Sequence, residues 1–470
     1  MLFNSYIFVF IFLPLVLLGW YGLNRFGKHK TAKIFLIGMS LWFYGYFNVY
    51  YLFIIVASIL INYFISYLLT FFRTKTAGRI GLLVGIGINL ALLFYFKYFD
   101  FFIENINYLF QTDFNLKHIL LPLGISFFTF QQLSFIIDRC TGKAEHYSFT
   151  NYAAFVTFFP QLIAGPIVLY KELIPQFDDP EKQKFHADNF AKGISLFVLG
   201  LGKKVLLADT LALVTNFGFE QTYFLDAPST LLVILSYTFQ IYFDFSGYSD
   251  MAIGMGRMFG FDFMENFRYP YAAGSMQGFW RRWHISLSGW FREYLYIPLG
   301  GNRKGRTRIW LNRLLVFFFT GLWHGANWTF VVWGLFHGSF LMLETVFPKM
   351  TKKMGVFRHV YVLLVVCVGF VIFRAESMGQ AFMMLEVMFT KTAWTPAIAA
   401  AAASVCDMLF LCMLPVAAVC SMPLAEWIRN RKRFGGFLQA ISYLVSIPLL
   451  LACLVSLAGG TYNPFIYFRF

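Results

Sequence analysis

Long apolar runs, about half of them closed by a cluster of lysine and arginine, recur along this chain and confine it to one class of fold. The first run, residues 6–23, has no Lys or Arg ahead of it, whereas Arg25, Lys28, Lys30 and Lys33 follow. Further runs lie at 34–44, 51–72, 80–98, 118–137, 190–213, 231–255, 309–347, 360–373, 408–422 and 437–457. A stretch of this kind with few charges reads as a membrane-crossing helix. In lipid every backbone polar group must be satisfied within the segment or a closed sheet, which favours helices here. The expectation is an all-α, polytopic transmembrane bundle of about ten to twelve spans, one integral-membrane domain over 1–470.

The basic clusters set an orientation. Arg73, Lys75 and Arg79, then Arg139 and Lys143, then Arg303, Lys304, Arg306 and Arg308 fall on one side when the spans alternate. Lys349, Lys352, Lys353 and Arg358 join them, as do Arg429, Arg431, Lys432 and Arg433. That side is expected to be cytoplasmic, and both termini extracytoplasmic. The first run lacks the basic n-region and cleavage site of a signal peptide. Residues 152–167 are apolar but broken by Pro160, Gly165 and Pro166. They predict a re-entrant segment, because non-helical backbone at depth needs protein around it. Residues 259–308 form a long amphipathic stretch, and 309–347 a hairpin of two helices.

Composition supports this class and removes others. The chain is 59% hydrophobic and 13% charged, with 61 Phe, 26 Tyr and 11 Trp, more apolar surface than a soluble domain can hide. Its net charge of +15 follows from basic cytoplasmic loops; no polar basic–aromatic array points to nucleic acid. The same basic surface would help dock an anionic substrate. The six cysteines include no CxxC pair and no zinc spacing, and read as small packing residues. The run 397–403 is a local alanine tract without chemistry.

Two histidines stand out in this background, since ionisable groups at membrane depth mark functional sites by default. His324 lies in Gly321-Leu322-Trp323-His324-Gly325-Ala326-Asn327-Trp328, at a break between two apolar helices. Trp323, Asn327, Trp328 and Trp333 would line a bulky cavity, and Gly325 would admit close backbone approach. A buried imidazole is biased toward its neutral form by desolvation and then serves as a base toward a hydroxyl or thiol. The structural alternative is a hydrogen-bonded core histidine. His284 lies in Phe279-Trp280-Arg281-Arg282-Trp283-His284-Ile285-Ser286, with Arg292 nearby. On a helix, His284, Arg281 and Ser288 would share a face. Arg281, Arg282 and Arg292 are candidates to hold phosphates, and Trp283 to border the donor; the alternative is an interfacial helix with snorkelling arginines. His337 reads as a structural neighbour. Asp244 and Asp250 read as capping or ion-pairing groups, or as proton relays. Soluble-enzyme motifs such as GxSxG, HExxH and Walker A are absent. Gly254 and Gly256 miss dinucleotide spacing by one residue and suit close helix packing.

The two histidine motifs together resemble the membrane-bound O-acyltransferase family. Within it, the chain is similar to membrane subunits that serve O-acetylation of alginate, peptidoglycan and exopolysaccharides. The likeness includes Phe159-Pro160-Gln161-Leu162 with Gly165-Pro166, residues 244–254, residues 294–301 and the ending Phe465-Ile466-Tyr467-Phe468-Arg469-Phe470. The resemblance implies His324 as the catalytic histidine and His284 as the second active-site histidine. It implies acetyl-CoA, or another acyl-CoA, as a cytoplasmic donor substrate, with no bound cofactor and no metal. It also implies delivery of the acyl group outward through a tunnel to a separate SGNH-like extracytoplasmic acetyltransferase, an envelope polysaccharide being the final acceptor. Its setting would be the bacterial cytoplasmic membrane. Two other readings remain. A D-alanyl transferase for teichoic acid would share the histidines. A proton-coupled transporter or flippase would show inverted repeats, and none is visible.

Overall fold

The computed structural model describes residues 1–71, 74–163, 165–303, 305–391, 404–429, 435–459 and 464–466. The alanine tract at 397–403, Arg73, Lys304, the basic residues 431–433 and the terminal residues 467–470 lie outside the described residues. All regular elements among the described residues are helical. They divide into two compact units: Met1–Phe197 with Asp250–Met264, and Val198–Ser249 with Glu265–Phe470.

The first unit contains α1 (Leu13–Arg25), α2 (His29–Gly45), α3 (Tyr50–Leu68), α4 (Lys75–Leu93), α5 (Phe99–Phe110), α6 (Ile125–Cys140), α7 (Phe149–Thr157), α8 (Phe159–Leu162), α9 (Tyr170–Asp178) and most of α10 (Ala187–Gly202). Its core is aromatic. Phe12 meets Phe159 edge-on with centroids 5.3 Å apart, and Phe158 meets Phe261 at 5.5 Å, the edge-to-face arrangement that ring quadrupoles favour. The expected re-entrant segment is the pair α7–α8. The helix breaks at Phe158 (φ −53°, ψ 107°), and Pro160 opens the next turn. Its backbone is buried in protein, and Gln161 Nε2 donates to the Phe155 carbonyl at 2.6 Å. The run 118–137 departs from expectation. His118 has φ 47° and Gly124 φ 70°, so the helix begins only at Ile125, where it is buried on nearly every side. A Cβ at Gly254 would lie 2.7 Å from the Gly193 carbonyl oxygen; this glycine serves packing, as expected.

The second unit contains α11 (Asp209–Glu220), the part of α12 (Ala227–Met258) up to Ser249, α13 (Met276–Trp280), α14 (Ile285–Phe291), α15 (Arg306–His324), α16 (Trp328–Val346), α17 (Met350–Lys353), α18 (Phe357–Arg374) and α19 (Met378–Thr390). Helices Met408–Cys420, Leu424–Arg429 and Gly435–Gly459 follow. Short polar side chains start several helices by accepting an otherwise orphaned backbone N–H: Ser275 from Gly278, Asn327 from Thr329, Ser377 from Gln380 and Asp407 from Phe410. The hairpin α15–α16 packs backbone on backbone. A Cβ at Gly321 would fall 2.3 Å from the Phe330 carbonyl oxygen, and one at Gly334 2.2 Å from that of Phe317. Small residues permit this approach in membrane helices.

Six helices among the described residues are long and apolar enough to cross a membrane: Phe8–Arg25, Tyr50–Leu68, Thr76–Phe110, Trp328–Val346, Phe357–Arg374 and Gln439–Gly459. The chain is therefore a multi-pass membrane protein. The other expected crossings fall on helices that miss this standard, because α2 has 17 residues, Met408–Cys420 has 13, and α15 carries Arg306, Arg308 and Arg313. The cysteines are less buried than expected: Cys453 is buried, whereas Cys412 and Cys420 are exposed.

Candidate active site around two histidines

The segment around His284 is not the single helix expected. Helix α13 ends at Trp280, and His284 takes a left-handed backbone (φ 45°, ψ 56°) as the residue before α14. Arg281 therefore shares no continuous helical face with His284 and Ser288. A non-glycine residue here costs of order 1–3 kcal/mol and persists only where its surroundings enforce it. Asn266 supplies that enforcement. Its backbone carbonyl accepts the Ile285 N–H at 2.9 Å, and its side-chain Oδ1 accepts the Ser286 N–H at 3.2 Å and the Ser286 hydroxyl at 2.9 Å.

The same Oδ1 fixes the proton on the imidazole. His284 Nδ1 lies 3.2 Å from Asn266 Oδ1. The backbone donor from Ser286 identifies that atom as oxygen, and Asn266 Nδ2 donates to Ser249 Oγ at 3.1 Å. An amide oxygen cannot donate, so Nδ1 carries the hydrogen and Nε2 the lone pair. Burial holds the ring neutral, lowering its pKa to about 3, since desolvation penalises the cation. His284 is thus a neutral imidazole with an oriented basic nitrogen. Its walls are aromatic: Phe245 meets it edge-on at 4.6 Å, Phe267 stacks at 6.3 Å and Trp323 meets it edge-on at 5.8 Å.

His324 ends α15, and the chain leaves it through Gly325 in an extended conformation. A Cβ on Gly325 would come within 2.2 Å of the Phe330 ring, so the glycine makes room for that side chain. The imidazole is 3% exposed, so bulk water is largely kept from it. Trp323 and Trp333 stand edge-on to it at 5.0 Å, and Phe373 at 5.2 Å. Trp323 therefore touches both histidines, which lie 40 positions apart in the chain.

The remaining expected residues separate by role. Trp283 is buried between Phe267 at 5.0 Å and Phe370 at 5.4 Å, as packing. Arg281 and Arg292 are exposed and Arg282 is half-buried, outside the aromatic enclosure. Asn327 caps α16 and donates Nδ2 to the Glu376 carbonyl at 3.0 Å. Its side chain is committed to the turn, and Trp328 is exposed; neither lines a cavity at His324. His337 stands one turn beyond Trp333 on α16, with centroids 5.1 Å apart, and Trp280 lies 5.3 Å from it. Asp244 is an ion-pairing residue, held by Lys204 at 2.6 Å. Sequence reasoning missed Asn266. An asparagine in a loop 18 residues before its partner carries no periodic or spacing signal.

Residues 118–389 match the model of the membrane-bound O-acyltransferase family, a range that includes both histidines and Asn266. The chain is 40% identical over 419 residues to the peptidoglycan O-acetyltransferase of Helicobacter pylori, covering 83% of this chain and 80% of that one. It is 38% identical to the probable alginate O-acetylase AlgI of Pseudomonas putida, with 100% of both chains covered. It is 27% identical to the teichoic acid D-alanyltransferase of Bacillus subtilis, over 49% of this chain and 60% of that one. The chain belongs to the membrane-bound O-acyltransferase family.

Proposed function

We propose that this protein moves an acetyl group from cytoplasmic acetyl-CoA across the bacterial cytoplasmic membrane for O-acetylation of an envelope polysaccharide. The relatives named for acetylation of peptidoglycan and alginate align over most or all of the chain, whereas the D-alanyl transferase aligns over about half. That difference favours acetyl over D-alanyl. The observation that carries a transfer reaction is the meeting of two buried imidazoles on one indole, Trp323, in an aromatic enclosure.

In this reading His324 takes the proton of the acceptor hydroxyl as its oxygen attacks the thioester carbonyl. The new C–O bond forms, the C–S bond breaks, and the departing thiolate is protonated to the free thiol. A positioned base of this kind contributes typically ~10²–10⁴-fold to rate. His284, neutral and oriented by Asn266, is the second imidazole of the site. The aromatic walls hold water away from the thioester and limit its hydrolysis. Arg281, Arg282 and Arg292 attract the phosphates of the donor from the cytoplasmic face. The acetyl group leaves outward to a separate SGNH-like transferase, which carries it to the sugar hydroxyl, and both chain termini lie on that outer side.

The test combines genetics and reconstitution. His324→Ala should abolish envelope acetylation while the protein still inserts in the membrane; undiminished acetylation would overturn the assignment. Purified protein should consume labelled acetyl-CoA. Activity with a D-alanyl carrier protein and none with acetyl-CoA would select the other branch.

A further inference from the structure

A buried ion pair lies behind the wall of the His284 site and has no part in the transfer just described. Lys204, only 4% exposed, places its ammonium 2.6 Å from Asp244 Oδ1 and 2.7 Å from Asp209 Oδ1. Asp244 is itself 2% exposed. A carboxylate this deeply buried needs donors on both oxygens. Its second oxygen, Oδ2, accepts the backbone N–H of Ile466 at 2.8 Å, a residue 222 positions away. The neighbouring Phe465, 2% exposed, stacks on Tyr248 at 4.7 Å and packs on Phe245 at 5.5 Å. Phe245 follows Asp244 on α12 and is the ring standing edge-on to His284 at 4.6 Å.

We infer that Asp244 is a positioning residue that clips the segment 464–466 against Tyr248 and Phe245, and so sets the ring wall on which His284 rests. The chain of contact runs Lys204, Asp244, Ile466, Phe465, Phe245, His284. Docking of the segment and satisfaction of the buried carboxylate are one event, because withdrawing Ile466 strips a donor from Asp244 Oδ2. The inference about catalysis rests on the proposed acetyl transfer; the inference about the clip does not.

Hydrogen–deuterium exchange and acetyl-transfer kinetics on the full chain in lipid nanodiscs test it. Removing the pair as Lys204→Met with Asp244→Leu avoids leaving a lone buried charge. Ile466→Pro deletes the donor and leaves the pair intact. The Leu variant should speed exchange of the Ile466 amide by at least ~10-fold, with α15 and α16 as protected as in the parent. Both changes should lower kcat by about 10-fold or more through misplacement of the site while donor KM changes little. Lys204→Met with Asp244→Asn should recover both properties, because the amide oxygen still accepts from Ile466. A merely space-filling role would not distinguish Leu from Asn. Unchanged exchange of the Ile466 amide in the Leu variant overturns the clip. Free exchange with full kcat overturns the positioning role. A parent protein that transfers no acetyl group overturns the proposed function, and exchange alone then decides the clip.

Discussion

The two histidines are held by different means. His284 sits on a strained left-handed turn and is oriented through a named polar partner, Asn266, which also anchors the turn through Ile285 and Ser286. His324 sits at the end of a regular helix, placed by the glycine packing of α15 on α16 and walled by three rings. At His284 the bond to Asn266 Oδ1 sets the tautomer, and at His324 the end of α15 and three ring walls frame the imidazole. A hydrogen bond to an acceptor that cannot donate fixes the tautomer of His284 as well as its position. Both imidazoles meet one indole, Trp323.

Substitutions can break this contrast, and Asn266→Ala should do so most strongly. It removes the acceptor for Nδ1–H and both Ser286 bonds, and should lower acetyl transfer by about 10–100-fold, the range for lost orienting partners in catalytic sites. Steady-state turnover checks this, and an effect under twofold would mean that the tautomer is not limiting. Asn266→Asp sharpens the same point through pH. In the parent, burial lowers the His284 pKa to about 3, so the ring stays neutral through the physiological range. Its folded pKa lies below the unfolded value of about 6.5, so it disfavours folding progressively as pH falls from about 6.5 toward 3. A carboxylate beside Nδ1 favours the cation and raises the folded pKa. The fall in activity on acidification should set in at a higher pH in the variant than in the parent.

On the His324 side, Gly321→Ala forces a methyl group against the Phe330 carbonyl oxygen. It should cost about 1–3 kcal/mol by overpacking, read as a lower thermal midpoint in detergent. The smallest effect belongs to Asn327→Ala, which removes the cap of α16 and should cost about 1 kcal/mol. A collapse of donor binding in that variant would instead return Asn327 to the substrate path.

Much of the architecture was legible in residue order. The runs at 6–23 and 360–373, and most of 51–72 as Tyr50–Leu68, became helices because membrane-spanning segments must close their own hydrogen bonds. The break at 152–167 was readable from Pro160, Gly165 and Pro166, and the hairpin from a long apolar run interrupted at His324. The start of α6 was not, because the positive φ of His118 breaks an otherwise apolar run. The helical face assigned to Arg281 and His284 failed for a related reason: local periodicity gives no warning of a left-handed turn enforced by a residue 18 positions earlier.

The sequence by itself determined that this chain crosses a membrane in helices and carries two histidines in its polar stretches, since hydropathy and residue type are local properties. Only the tertiary structure decided that Asn266 gives His284 its basic nitrogen, that Trp323 joins the two rings, and that Asp244 meets Ile466 across 222 residues. Those are relations of direction and distance between segments far apart in the chain, and they exist only once packing has brought the segments together.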